Sequence, residues 1–118
     1  MKKLSGDMLN LLFKRQIEFQ KKVGLPYSKI TSKKTRDREI LSEKYILAMI
    51  DELIEFRNCY NKKDWTKTRF KINEDELKEE LIDIWWFTIN LAITWGMSAN
   101  DVLSTLNKKQ IKNFKRLQ

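Results

Sequence analysis

The chain has 118 residues, 42% of them hydrophobic and 34% charged, a composition that predicts one globular domain rather than a disordered chain. It contains no histidine and only three scattered glycines, which excludes histidine-based catalytic triads, histidine-ligated zinc, the Glu-x-x-His di-iron pattern and a glycine-rich phosphate loop. The net charge of +8 is concentrated in residues 1–38, which hold 11 Lys/Arg against 3 Asp/Glu; this region is either a solvated basic segment or a surface that attracts nucleic acid or nucleotide phosphates.

The hydrophobic spacing predicts an all-α domain of four to five helices spanning residues 1–118. A first helix is expected over residues 7–22, followed by an exposed, mobile basic connection over residues 25–38 and a second helix over residues 38–60. Asn73 and Glu76 have the spacing of an N-cap and an acidic N3 residue, and they predict a third helix that ends at Gly96. Ser98 and Asp101 predict the start of a fourth helix that reaches Phe114 or beyond.

The third predicted helix carries one charged side chain, Asp83, between Leu81 and Asn100. A helix that is apolar on nearly every face is expected to be buried. A carboxylate carried into it must be neutralised, paired or bound to a metal. The tryptophans Trp85, Trp86 and Trp95 exceed what a small four-helix monomer can cover, so we expect a homodimer or higher homo-oligomer that completes the helical bundle.

Two carboxylate pairs share the same spacing of three residues: Glu52 with Glu55, and Glu80 with Asp83. Each pair alone could be the solvated edge of an amphipathic helix. Because Asp83 interrupts an apolar run, the sequence favours a site made by all four. Four oxygen ligands without histidine or cysteine select a hard cation, Mg²⁺ or Mn²⁺, which often shares its site with substrate phosphates.

The last predicted helix presents Lys109, Asn113 and Arg116 at positions i, i+4 and i+7, on one face. The stripe is either a soluble basic tail or, beside an acidic metal site, a set of phosphate and sugar ligands.

The single Cys59 cannot form an internal disulfide, and no signal peptide or membrane span is recognisable. We therefore expect a cytoplasmic protein without a membrane partner.

Taken together, these motifs resemble the all-α nucleoside triphosphate pyrophosphatase superfamily, which includes MazG-type enzymes and dimeric dUTPases. The resemblance is closest to the dimeric dUTPases and covers residues 8–118. Glu80-Leu-Ile-Asp83-Ile-Trp85-Trp86-Phe87 is similar to their E-x-x-D-I-x-H-F segment. Similar, too, are Glu52-Leu-Ile-Glu55-Phe-Arg-Asn58 with the later Trp65, and the closing helix with its Lys109-x3-Asn113-x2-Arg116 pattern.

The resemblance implies Mg²⁺-dependent hydrolysis of a deoxynucleoside triphosphate, with dUTP preferred, to the monophosphate and pyrophosphate. It implies metal ligands at Glu52, Glu55, Glu80 and Asp83, with Glu52 or Glu55 also orienting or deprotonating the attacking water. Lys109, Asn113 and Arg116 would bind phosphate and sugar, and Gln16, Trp65 and Trp86 the base.

Two residues depart from the family pattern, since Trp86 stands in place of a histidine and Gln20 in place of an asparagine. Both lie in the implied base pocket, so the base preference is less certain to carry over than the chemistry. The alternatives are a related pyrophosphatase that prefers dCTP or another base, as in MazG-like enzymes, and a family member that binds without turnover. A third is a non-enzymatic nucleic-acid-binding helical protein, which would leave Asp83 unexplained.

Overall fold

The computed structural model describes residues 7–61 and 71–118, and every regular element in these two ranges is an α-helix. The helices are α1 (Asp7–Lys22), α2 (Tyr27–Ile30), α3 (Thr35–Asn58), α4 (Glu74–Thr94) and α5 (Ala99–Arg116). The all-α expectation and its four long helices are thereby confirmed. None of the described helices combines the length and apolar character needed to cross a bilayer.

Local capping interactions fix the ends of the two C-terminal helices. The Asn73 side chain accepts a hydrogen bond from the backbone N–H of Glu76 at 3.1 Å. At the start of α5 the Ser98 hydroxyl accepts from the Asp101 N–H at 3.1 Å, and the Asp101 carboxylate accepts from the Ser98 N–H at 2.8 Å. Gly96 has a φ of 77°, a left-handed conformation that favours glycine, so α4 stops where the sequence predicts.

The long helices α3 and α4 form the principal helix pair of the fold. Near the start of α3, the Trp95 indole N–H donates to the Ser42 hydroxyl at 2.7 Å. Further along, the Tyr45 and Phe87 rings lie 6.3 Å apart. Because contacts that come later in α3 involve earlier residues of α4, the two helices run antiparallel. This register sets the C-terminal half of α3 against the N-terminal half of α4.

The basic connection over residues 25–38 is not the featureless exposed segment that its composition predicts. It contains the one-turn helix α2, in which Ile30 is buried. The Lys21 ammonium lies 4.2 Å from the centre of the Tyr27 ring. Asp37 accepts hydrogen bonds from the Ser32 hydroxyl at 2.7 Å and from Lys29 at 3.1 Å, which lower the pKa of its carboxyl. These contacts join residues five to eight positions apart in sequence, and α3 begins three residues earlier than predicted.

The prediction that α4 is buried on nearly every face is wrong for a single chain. Trp85 is 64% exposed and Ile82 is 51% exposed, whereas only Asn90 and Thr94 of this helix are fully buried. The physical reason is that α4 packs against α3 and α1, and these two helices cover only part of its circumference. Among the described residues, six hydrophobic side chains are buried and twenty-one large ones are exposed. The oligomer expected from this surplus stays a prediction.

Candidate metal and nucleotide site

Three carboxylates from two helices meet where α3 crosses the N-terminal half of α4. Each of Glu52, Glu80 and Asp83 offers an oxygen, and these oxygens all lie within 4.8 Å of one another. Glu52 and Glu80 are partly buried, and Asp83 is exposed. The two salt bridges formed within residues 7–61 and 71–118 lie elsewhere, between Lys29 and Asp37 and within the first turns of α3. Within these two ranges, none of the three acids forms a salt bridge, so the cluster concentrates negative charge.

The electrostatics of the cluster centre on Glu52. Its Oε2 atom is buried and has no hydrogen-bond partner among the residues that the structure describes. When Glu52 carries a proton, it can share a hydrogen bond with Glu80, and this bond, followed by burial and the negative charges of Glu80, Asp83 and Glu55, raises its pKa from 4.5 to about 7. A proton on Glu52, or a cation bound among the carboxylates, therefore relieves the electrostatic repulsion between them.

Glu55, the fourth predicted ligand, lies outside the group of three. Its side chain is exposed, one turn further along α3, although its charge contributes to the raised pKa of Glu52. A spacing of three residues offsets two side chains by about 60° around the helix and about 4.5 Å along it. A facing helix can therefore reach Glu52 without reaching Glu55. The structure brings together three of the four predicted carboxylates.

A cavity of about 540 Å³ adjoins the acids between α1, α3 and α4, a volume within the usual range for small-molecule sites. Two of the three acids, Glu52 and Asp83, belong to its wall. The rest of the wall combines aromatic rings with polar groups: Phe19, Trp86, Phe87, Arg15, Gln16, Gln20 and Asn90. Aromatic faces and amides beside an acidic cluster can accommodate a flat heterocycle whose phosphates reach a bound cation.

The predicted base-pocket residues divide into those in the cavity and one outside the described chain. Gln16 is 6% exposed and lines the cavity, and Trp86 lines it from α4 while remaining partly buried. Trp65 lies outside the described residues. Gln20, which departs from the family pattern, is also part of the wall. The two departures thus fall at the cavity, where the sequence comparison placed them.

The predicted phosphate ligands of the last helix do not reach this cavity within the described chain. Lys109, Asn113 and Arg116 are all exposed on α5, and none of them belongs to the cavity wall. Among the described helices, the main packing partner of α5 is α1. The cation that does line the cavity is Arg15 of α1.

Sequence reasoning missed Arg15 and Asn90 as residues of the site. Asn90 is seven residues after Asp83 and four after Trp86, so all three share one face of α4. A buried polar residue in register with the acids was a signal that could have identified it. Arg15 precedes Gln16 and gave no comparable signal, because it lies in a region already rich in basic residues.

Comparison with known proteins adds an independent observation to this geometry. The family model described as dUTPase matches residues 8–118, which is nearly the whole chain and includes every residue of the carboxylate cluster and of the cavity wall. Neither the curated protein sequences nor the solved structures give a significant match. The match agrees with the resemblance of the sequence motifs to dUTPases and with the all-α fold of the described residues. The chain belongs to the dUTPase family, a family of nucleotide pyrophosphatases.

Proposed function

We propose that the protein hydrolyses deoxynucleoside triphosphates, dUTP among them, to the monophosphate and pyrophosphate with the help of Mg²⁺. The observation that carries the proposal is the convergence of oxygens from Glu52, Glu80 and Asp83 within 4.8 Å of one another beside a cavity of about 540 Å³. The family match over residues 8–118 supports the same reaction class. Three carboxylates held this close repel one another unless a proton or a cation lies between them, so a purely structural role would be unfavourable.

The donor set fits a hard divalent cation. Carboxylate oxygens are the ligands that Mg²⁺ and Mn²⁺ prefer. The Oε2 atom of Glu52, which has no hydrogen-bond partner among the described residues, can donate a lone pair to such an ion. Glu52, Glu80 and Asp83 would hold it. When bound, a cation of this kind lowers the pKa of a coordinated water and neutralises charge on the phosphate chain. No histidine base is then required in a chain that has none.

The remaining roles fall to residues around the cluster. Glu55 is exposed one turn beyond Glu52, and its proposed role is to complete the metal site or to orient the attacking water once substrate is present. Arg15 lines the cavity and can pair with a phosphate oxygen. Lys109, Asn113 and Arg116 retain their proposed role as phosphate and sugar ligands.

The base would occupy the cavity between α1 and α4. Trp86 offers a ring for stacking, and Gln16 offers an amide for hydrogen bonding. Trp65 keeps its proposed place in this pocket.

A second copy of the chain is the proposed cover for the exposed apolar surface. The exposed residues include Leu47, Ile50 and Ile54 on α3, and Ile82 and Trp85 on α4. Their spacing places each set along one face of its helix. Large apolar side chains left exposed along two packed helices are typical of an interface. We therefore propose a homodimer whose central bundle includes α3 and α4 of both chains.

The test is release of pyrophosphate from a panel of deoxynucleoside triphosphates with Mg²⁺ present. Wild-type protein should release pyrophosphate, and Asp83→Asn should lose most of this activity because the variant removes a charged ligand while preserving shape. Glu79→Gln is the matched control, since Glu79 is an exposed acid next to Glu80 that lies outside the cluster. Release of orthophosphate instead of pyrophosphate, or equal activity in Asp83→Asn, would defeat the proposal.

A further inference from the structure

A second cavity lies apart from the acidic cluster and carries the opposite charge. It has a volume of about 420 Å³, and its wall shares no residue with the cavity beside the acids. Three cationic side chains contribute to this wall: Lys14 of α1, Lys33 of the segment before α3, and Arg38 of α3 itself. Arg38 precedes Glu52 by fourteen residues on α3, which corresponds to about 21 Å along the helix. The second cavity is therefore well separated from the candidate metal site.

The wall of this second cavity contains no carboxylate among the described residues. Within residues 7–61 and 71–118, none of its three cations forms a salt bridge. The acids that flank Arg38 in sequence have cations of their own, in the pairs Lys29–Asp37 and Arg36–Glu39. Asp101 of α5 accepts a hydrogen bond from the Ser98 backbone N–H at 2.8 Å and is not part of the wall. Positive charge without a counter-charge in the wall favours an anionic ligand.

The side chain of Arg38 is held in place by three contacts. It is partly buried, and its Nε–H donates to the Ser32 carbonyl oxygen at 3.1 Å. The guanidinium carbon lies 5.9 Å from the centre of the Trp95 ring. Gly96 approaches so closely that a side-chain carbon at this position would come within 2.9 Å of Nη2 of Arg38. Because these contacts already restrict the guanidinium, it loses little conformational entropy when it binds a ligand.

The two terminal nitrogens of Arg38 are the donors that remain for a ligand. Among the described residues, the side chain forms one hydrogen bond, through Nε, and none through Nη1 or Nη2. A guanidinium can bind a phosphate through two parallel N–H···O bonds, which a lysine cannot do. Lys14 and Lys33 are exposed on the same wall and can make charge-assisted contacts with further oxygens.

Apolar side chains form another part of the wall. Phe13 is buried, and the partly buried Ile17, Ile93 and Met97 also line the cavity. The cavity volume falls within the usual range for small-molecule sites, about 300–1,000 Å³. The cavity can therefore accept a phosphate group together with a small organic group that carries it.

We propose that this second cavity binds a phosphate group through the terminal nitrogens of Arg38, with Lys14 and Lys33 as accompanying cations. The phosphate is either the free ion or a monoester of a small organic molecule, and the same side chains recognise both. The site is independent of the proposed function, because none of its residues belongs to the acidic cluster or to the cavity beside it.

Calorimetric titration of the metal-free protein tests the proposal, with inorganic phosphate and phenyl phosphate as probes and the ionic strength fixed by sodium chloride. The wild type should bind at least one probe with a dissociation constant of about 1 mM or lower. Binding of neither probe would overturn the proposal. Tighter binding of phenyl phosphate by about tenfold or more identifies an organic phosphate as the ligand, whereas a smaller difference identifies the free ion; both results support the site.

Matched variants locate the bound phosphate. Arg38→Gln should weaken binding by about tenfold or more, as expected for loss of a charge-assisted contact, and Lys33→Gln should weaken it by a smaller factor. Arg36→Gln and Lys34→Gln are the controls, since both residues are exposed neighbours outside the wall, and they should bind as the wild type does. Unchanged affinity in both cavity variants, or a loss confined to Arg15→Gln, would overturn the proposal.

Should Arg38→Gln fail to fold by circular dichroism, the exposed pair Lys33→Gln and Lys34→Gln still decides. Weaker binding in Lys33→Gln alone supports the site, and equal affinity in the two variants overturns it.

Discussion

The raised pKa of Glu52 predicts how the stability of the metal-free protein depends on pH. Because the folded protein binds this proton more tightly than the unfolded chain does, the stabilising contribution is complete below pH 4.5 and is lost as the pH rises through about 7. The rise from 4.5 to about 7 corresponds to at most about 3 kcal/mol, and solvent contact of the partly buried side chain lowers this limit. For a domain of this size, each kcal/mol shifts Tm by about 3–5 °C. We therefore expect a fall of several degrees between pH 5 and pH 8.

The Glu80→Gln variant tests the cause. Glutamine can donate a hydrogen bond to the Glu52 carboxylate, so the variant should lose most of the pH dependence and should melt several degrees above the wild type at pH 8. The chain has no histidine, so no ordinary side-chain titration obscures this window.

Thermal melts in a chelating buffer, followed by circular dichroism, measure the effect. Glu79→Gln should behave like the wild type, since Glu79 is exposed and outside the cluster. A wild-type Tm that stays constant from pH 5 to pH 8, or a Glu80→Gln variant that is less stable at pH 8, would refute the reasoning.

Three further predictions follow from exposure and charge. KM for the triphosphate should rise about tenfold or more in each of Arg15→Ala, Lys109→Ala and Arg116→Ala, because each variant loses a charge-assisted phosphate contact. Steady-state kinetics measures this, and an unchanged KM in all three variants would show that these residues do not bind the phosphates. Light scattering at micromolar concentration should give a dimer for the wild type and a smaller species for Trp85→Gln, whereas a wild-type monomer would contradict the proposed interface. The Cys59 thiol should react with iodoacetamide at pH 8 about tenfold more slowly than in the unfolded chain, since burial raises its pKa; equal rates would show that the thiol is accessible.

Sequence patterns predict those parts of the fold that local interactions determine. Asn73 and Ser98 cap their helices through side-chain hydrogen bonds within three residues, and Gly96 supplies the one conformation that stops α4. These signals lie within a few residues of the boundary they set. The ends of α4 and the start of α5 were predicted for this reason.

Features that depend on contacts distant in sequence were not predictable in the same way. The short helix α2 depends on burial of Ile30, which its polar and basic neighbours conceal. The apolar run around Trp85 indicates that some surface covers it, but the run does not say whether that surface belongs to the same chain or to another. In one chain, Trp85 remains exposed.

In the candidate site, too, the spacing along one helix was predictable from the sequence, whereas the contacts between helices were not. The spacing of Glu80 and Asp83 predicted that both acids share one face of α4, and in the structure both lie beside Glu52 of α3. Whether Glu55 joins them depends on how α3 crosses α4, which the spacing does not encode. Asn90 enters the site through the same crossing and the approach of α1.

Thermal melts with and without Mg²⁺, on wild-type protein and on Asp83→Asn, test the central claim most directly. If the three carboxylates hold the cation, Mg²⁺ should raise the wild-type Tm by mass action and raise that of the variant much less. Without Mg²⁺, the variant should be at least as stable as the wild type, because repulsion among the acids is relieved. If Asp83 is instead the structural partner of a lysine or arginine, the variant should be less stable than the wild type and Mg²⁺ should stabilise neither protein. That second result would contradict the account.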